Sequence, residues 1–167
     1  MKTVWEGKYI RAVVDGPWEY VKRARDIGAA VILALTGDGE VVLVEQMRIP
    51  LGRRCIELPA GLVGDDTPGE DAAVSAEREL AEETGYHAAH WEELGEFASS
   101  PGMVGETFRL FRATGLRRTG SGGGVEHEDI VTHVVKLADI ETFLAGKRAD
   151  GCAIDVKLLA VLPFARI

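Results

Sequence analysis

Residues 64–86 read GDDTPGEDAAVSAERELAEETGY. Thr67 suits a helix N-cap, Pro68 the first helical position, and Glu70 the far end of a Thr-x-x-Glu capping box. Gly85 suits the left-handed residue that stops a helix. The spacing predicts a helix of roughly 17 residues that begins near Pro68, with Ala73, Ala76 and Leu80 facing a core. Glu79, Glu82 and Glu83 lie three and four residues apart, so their carboxylates project from one neighbourhood of the surface. Like charges at that spacing repel unless a cation sits among them, and hard oxygen ligands suit Mg2+ or Mn2+. A solvated acidic helix face would carry the same three glutamates.

The wider pattern decides between these readings. Gly64, Glu70 and the run Arg78-Glu79-Leu80-Ala81-Glu82-Glu83-Thr84-Gly85-Tyr86 fit the Nudix box at every specified position. The chain thus resembles the Nudix hydrolases. One departure concerns the approach to the box. Pro59-Ala60-Gly61 precedes Leu62-Val63-Gly64, so the loop is about three residues longer than the commonest form, and Gly61 rather than Gly64 can hold the equivalent place in space. Either Ala60 or Val63 then offers the backbone carbonyl that completes a metal site, with Ala60 favoured.

At 167 residues the chain has room for one catalytic domain and a small appendage. The expected division is residues 1–27, an antiparallel ribbon, and residues 28–167, the catalytic domain. No apolar run approaches the roughly 18 residues of a membrane span. Met1 to Asp15 hold no signal-peptide core, and a cytoplasmic setting with no membrane partner is expected. A net charge of −8 argues against nucleic acid as a partner. Two cysteines, Cys55 and Cys152, without a Cys-x-x-Cys motif suggest neither a disulfide framework nor a zinc site.

Along the chain, residues 3–14 and 18–25 alternate around an Asp15-Gly16-Pro17 turn and read as a two-stranded ribbon. Trp5, Tyr9 and Trp18 suit packing or, less readily, base stacking. Residues 28–36 and 41–44 are apolar on both faces and read as buried hairpin strands. Arg48 closes the second strand and suits either a surface ion pair or a phosphate clamp. Residues 50–54 read as a loop with two arginines, and residues 56–61 as a short strand in which Glu57 faces a metal site or an arginine. Strands follow at residues 91–97, 107–114 and 130–137. The glycine-rich residues 116–124 between them read as mobile. Short helices are expected at residues 140–145 and 154–164. The pattern is α+β, with helices on a mixed sheet.

Outside the box, Glu45-Gln46-Met47-Arg48, Glu57-Leu58-Pro59-Ala60-Gly61, Ser100-Pro101-Gly102 with Glu106, and Glu126-His127-Glu128-Asp129-Ile130 resemble the ADP-ribose pyrophosphatase branch. The resemblance implies a Nudix α/β/α sandwich and metal-dependent cleavage of a nucleoside diphosphate sugar, with ADP-ribose foremost and GDP-mannose as the alternative. A non-catalytic ADP-ribose sensor is a remote third, since every box glutamate is present. It further implies Glu79 and Glu83 as metal ligands with Ala60 and Glu128, Glu82 as a catalytic group that either bridges the metal or stands just behind its ligands, and Glu126 as the base. Arg48, Arg54, Glu57, Pro101, Gly102, Glu106 and Trp18 are the implied substrate contacts. Gly64, Glu70, Arg78 and Gly85 shape the motif. A homodimer with exchanged N-terminal ribbons is also implied.

Overall fold

The computed structural model describes residues 1–25, 27–64, 69–125, 128–161 and Pro163, with Ala160 and Val161 described by backbone alone. The expectations for Thr67, Pro68, Glu126, His127, Leu162 and Phe164 lie outside the described residues.

The chain opens with β1 (Lys2–Glu6), β2 (Ile10–Asp15) and β3 (Trp18–Arg23), which form one antiparallel sheet with β2 in the centre. The expected two-stranded ribbon is therefore three-stranded. A reversal at Gly7, whose N–H donates to the Ile10 carbonyl at 2.9 Å, cuts residues 3–14 into two strands. The sheet docks through β3. Val21 N–H donates to the Met103 carbonyl at 3.0 Å, Gly105 N–H donates to the Val21 carbonyl at 2.8 Å, and Arg23 pairs with Glu106 at 2.6 Å.

The main sheet begins with β4 (Ala29–Leu35) and β5 (Glu40–Arg48), then β6 (Arg53–Glu57) and β7 (Ala60–Leu62). Residues 50–54 are thus not all loop, because Arg53 and Arg54 already pair with Arg48 and Met47. The box helix α1 (Ala72–Thr84) follows. After it come β8 (Tyr86–His87), β9 (His90–Ala98), β10 (Thr107–Thr114), β11 (Arg117–Arg118) and β12 (Val131–Lys136). The chain closes with α2 (Ile140–Ala149), β13 (Ala153–Ile154) and α3 (Val156–Val161).

Among the described residues the main sheet has eight strands. Its path is β13-β6-β5-β4-β10-β9, with β12 added on β5 and β7 on β4. It is mixed, since β10 runs parallel to β4 and β13 parallel to β6. The continuous apolar run in β4 serves two cores at once. Val31, Leu33 and Leu35 pack with Ile140, Leu144 and Leu158 beneath α2 and α3. Ala30, Ile32 and Ala34 pack with Ala72, Ala76 and Leu80 of α1. Alternation along a strand sends successive side chains to opposite faces, so only a run that is apolar throughout can fill an α/β/α sandwich. Small side chains on both α1 and β4 let the helix come close. Complete burial of Leu80 contributes about 1.5–3 kcal/mol.

Three local expectations are corrected. The helix has 13 residues and starts at Ala72, where Asp71 caps it by accepting from Ala73 N–H at 2.8 Å. Ala72, not Ala73, is therefore the buried alanine of the first turn. Ile154 does not begin the last helix. It pairs with Ile56, and α3 begins after Asp155, whose side chain accepts from Lys157 N–H at 2.7 Å. Where a mobile linker is expected, the glycine-rich segment makes backbone hydrogen bonds to the end of α1. The N–H groups of Thr119 and Gly120 donate to the Gly85 carbonyl at 2.9 and 3.1 Å. Those of Gly123 and Gly124 donate to the carbonyls of Glu83 and Glu82 at 2.9 and 3.0 Å. Carbonyls at a helix C-terminus lack intrahelical donors, and this segment supplies them. Its glycines allow the approach, since a Cβ on Gly122 would lie 2.5 Å from the Thr84 carbonyl carbon. Among the described residues no helix is long and apolar enough to cross a membrane.

Candidate active site

The first turn of α1 fixes its acidic face. Glu70 lies just ahead of the helix and accepts from the Ser75 hydroxyl at 2.5 Å. That bond does most to lower the Glu70 pKa, with Arg78 and the Gly64 N–H adding to it against the cost of desolvation. Among the described residues, Glu70 takes its partners from Ser75 and Arg78 along the helix and from the Gly64 N–H. Arg78 then spans the acids. Its guanidinium lies 3.6 Å from Glu70, 3.0 Å from Glu79 and 3.2 Å from Glu82.

Glu79 and Glu83 face a cavity of about 500 Å³ between α1, β5–β7 and the N-terminal sheet. Glu83 is 4% exposed and accepts from Ala60 N–H at 3.0 Å. Burial raises its pKa well above the ordinary carboxylate value. The charges of Glu79 and Glu128 push the same way, while the Ala60 N–H and Arg48 oppose. Burial also raises Glu79, with Arg78 opposing and Glu82 and Glu128 adding to the rise. Gly61 makes room for Glu79, because a Cβ there would sit 1.9 Å from the Glu79 carboxyl carbon. Gly64 instead adopts a left-handed turn at φ 76°. Ala60 stands on the cavity wall, whereas Val63 packs beside α1 with its N–H on the Gly28 carbonyl at 3.0 Å.

Among the described residues six carboxylates line the cavity: Glu57, Glu79, Glu82, Glu83, Glu106 and Glu128. Four cations accompany them: Arg23, Arg48, Arg78 and Lys157. The cations are engaged with acids. Arg48 grips Glu57 through two bonds of 2.6 and 2.7 Å, and Lys157 meets Asp155 at 2.5 Å. Glu57 therefore pairs with an arginine, and it also lines the cavity. Among the described residues no three His, Cys, Asp or Glu side chains converge closely enough to hold a metal ion as they lie. The carboxylates rest on other donors: Arg78 for Glu79 and Glu82, Ala60 N–H for Glu83, and Val125 N–H at 3.0 Å for Glu128. The donor set still suits a divalent cation. It consists of hard oxygens, it is in excess over the basic groups, and its members disfavour one another's charge.

Of the residues read from sequence, Arg48, Glu57, Ala60, Glu79, Glu82, Glu83, Glu106 and Glu128 meet at this cavity. Arg54, Trp18, Pro101 and Gly102 do not line it. Arg54 is bound to Glu45 and Asp129, while Trp18, Pro101 and Gly102 are exposed. Arg23 and Lys157 line it and were not foreseen. Arg23 reads in sequence as one more charge on an exposed ribbon, and Lys157 as a solvated helix residue. Nothing local in either stretch signals a pocket.

The family model described as "NUDIX domain" matches residues 24–153. The chain belongs to the Nudix family. Over 134 residues this Nudix protein is 35% identical to a methanol dehydrogenase activator of Bacillus methanolicus, covering 77% of this chain and 71% of that one. It is 43% identical over 93 residues to an ADP-ribose pyrophosphatase of Mycobacterium tuberculosis, covering 56% of this chain and 44% of that protein's length. It is 34% identical over 151 residues to a GDP-mannose pyrophosphatase of an Enterobacter species, covering 81% and 76%. A solved structure titled as an ADP compounds hydrolase superposes with a TM-score of 0.67 at 21% identity, covering 86% of this chain and 80% of that one. This last likeness shows that the Nudix fold is shared.

Proposed function

We propose that this Nudix protein hydrolyses the pyrophosphate bond of a nucleoside diphosphate sugar, with ADP-ribose cleaved to AMP and ribose 5-phosphate. The observation that carries this reading is the composition of the cavity. Among the described residues six carboxylates stand against four cations on the cavity wall. An anionic substrate cannot enter such a site favourably unless further positive charge joins it. Mg2+ is the proposed cation and Mn2+ the alternative, held by Glu79 and Glu83 with Glu82, Glu128 and the Ala60 carbonyl. When bound, the cation offsets charge on the phosphate oxygens and makes water a stronger acid.

The remaining residues bind and orient. Arg48 is held side-on by the buried Glu57, so its guanidinium is already set for a phosphate oxygen. Arg23 and Lys157 place two more cations on the cavity wall. Arg78 ties Glu79 and Glu82 to Glu70 and so keeps the acidic face in register. Glu126, outside the described residues, is the proposed base on the segment that carries Glu128.

Two observations divide the substrate question. The higher identity, over 93 residues, is to an ADP-ribose pyrophosphatase. The longer match, over most of the chain, is to a GDP-mannose pyrophosphatase. A panel of ADP-ribose, GDP-mannose, ADP-glucose and NADH, followed by phosphatase-coupled phosphate release with Mg2+, separates them. The expected result is the highest kcat/KM for ADP-ribose. A preference for GDP-mannose moves the substrate and keeps the chemistry, and binding of ADP-ribose without turnover converts the reading to a sensor.

Residues 1–27 are proposed as a dimerisation element ahead of a catalytic domain of residues 28–167. Val4, Trp5, Ile10 and Trp18 are all exposed on the N-terminal sheet, and such apolar surface favours a protein partner. Sedimentation at micromolar concentration is expected to give a dimer, and Trp5→Glu with Trp18→Glu a monomer. A wild-type monomer removes this element of the proposal.

A further inference from the structure

Arg54 has the sequence position of a phosphate ligand and the surroundings of something else. Its Nε donates to Glu45 Oε1 at 2.7 Å and its Nη2 to the Glu45 carbonyl at 3.0 Å. Its Nη1 donates to Asp129 Oδ2 at 2.7 Å, and its Nη2 also to the Asp129 carbonyl at 3.1 Å. A guanidinium is a planar fork of five N–H groups, so contacts on both sides fix its plane and leave little for a ligand. Glu45 is itself held. It accepts from Lys147 at 2.7 Å and lies 2.9 Å from His133 Nε2, which ties it to α2 and β12. Burial works to raise its pKa, and Lys147, His133 and Arg54 outweigh that, bringing it down to about 2. Arg54 therefore reaches outward from a rigid base.

What it reaches is the far stem of the acid-bearing segment. The near stem is already fixed, since Gly123 and Gly124 donate to the carbonyls of Glu83 and Glu82. Beyond the far stem, Thr132 on β12 donates its hydroxyl to the Glu83 carbonyl at 3.2 Å, so Arg54 acts on the stretch between these anchors. Glu128 stands between the two stems, against the cavity and next to Asp129. The contact to the Asp129 backbone matters most, because it fixes chain position whatever the Asp129 side chain does. We propose that Arg54 is a positioning residue that holds the Glu128–Asp129 segment against the cavity and does not contact substrate. This rests on the proposed hydrolysis only in assigning Glu128 to the site.

The pair to Asp129 is solvent-exposed on the aspartate side, with 81% of that side chain accessible. Exposed pairs are weak, so the effect is one of placement and not of global stability. The test uses Arg54→Met, Asp129→Asn and the double variant in the full chain. With ADP-ribose and Mg2+, Arg54→Met is expected to lower kcat about five- to tenfold with KM within about twofold of wild type. Asp129→Asn, which keeps the backbone contact, is expected to lose less, and the double variant no more than Arg54→Met alone. Hydrogen–deuterium exchange without substrate is expected to show faster exchange at Glu128 and Ile130 in Arg54→Met, with β4 and α1 unchanged. A tenfold rise in KM with kcat and exchange unchanged would make Arg54 a phosphate ligand and overturn the proposal. Unchanged exchange overturns it even if no nucleotide sugar is turned over, so its failure is separable from that of the proposed function.

Discussion

Glu83→Gln is expected to leave a folded protein that hydrolyses ADP-ribose at least about a thousandfold more slowly and, stripped of metal, melts no lower than wild type. The two halves have one cause. Glu83 is 4% exposed, and its neighbours Glu79 and Glu128 repel its charge. A buried carboxylate of this kind is costly unless paired. Glutamine keeps the shape and can still accept the Ala60 N–H, while removing the charge that a divalent cation needs. Loss of a ligand charge at a site that depends on metal electrostatics typically costs several kcal/mol of barrier, and each 1.36 kcal/mol is tenfold in rate. Calorimetry in EDTA and initial rates in Mg2+ read the two halves separately. A melting temperature lower by more than about 5 °C would mean that Glu83 serves the fold. Retained turnover would remove it from the metal site.

Gly61→Ala is expected to spare the fold and cost about a hundredfold in activity. Gly61 has an ordinary strand conformation, so alanine brings no backbone strain. Its Cβ would fall 1.9 Å from the Glu79 carboxyl carbon, the far end of a flexible side chain. The side chain yields, and Glu79 swings off the cavity wall. Gly64→Ala makes the contrast, since Gly64 sits at φ 76° and alanine there costs about 1–2 kcal/mol of backbone strain. The check is a Mg2+ titration of activity, with a weaker apparent metal affinity expected for Gly61→Ala. Wild-type turnover by Gly61→Ala would show that Glu79 need not lie where the structure puts it.

The parts of the molecule that were legible in sequence are those where one residue type at one spacing has one physical use. An apolar run too short for a membrane and too uniform for a surface strand had to be a central strand, and β4 is one. Carboxylates three and four residues apart on a helix had to share a face, and Glu79, Glu82 and Glu83 do. Elsewhere the decisive partners are remote. The glycines at residues 120–124 look like a flexible linker until the end of α1 is placed beside them, when the same lack of side chains becomes the condition for close contact. Arg54 reads in sequence as a candidate phosphate ligand, and its bonds to Glu45 and to Asp129, the latter 75 residues away, appear only in the fold. The helix start is ambiguous in sequence because Thr67 and Asp71 are both good caps, and no local preference chooses between them. Arg23 and Lys157 come from opposite ends of the chain, so only the fold places both on the cavity wall.

The most direct measurement follows the products of ADP-ribose by chromatography, first with the EDTA-dialysed protein and then as Mg2+ is restored. No cleavage is expected without metal, then equal amounts of AMP and ribose 5-phosphate that rise with Mg2+ and vanish in Glu83→Gln. Cleavage at the same rate in EDTA, or by Glu83→Gln, would contradict a metal-dependent pyrophosphohydrolase built on this cavity.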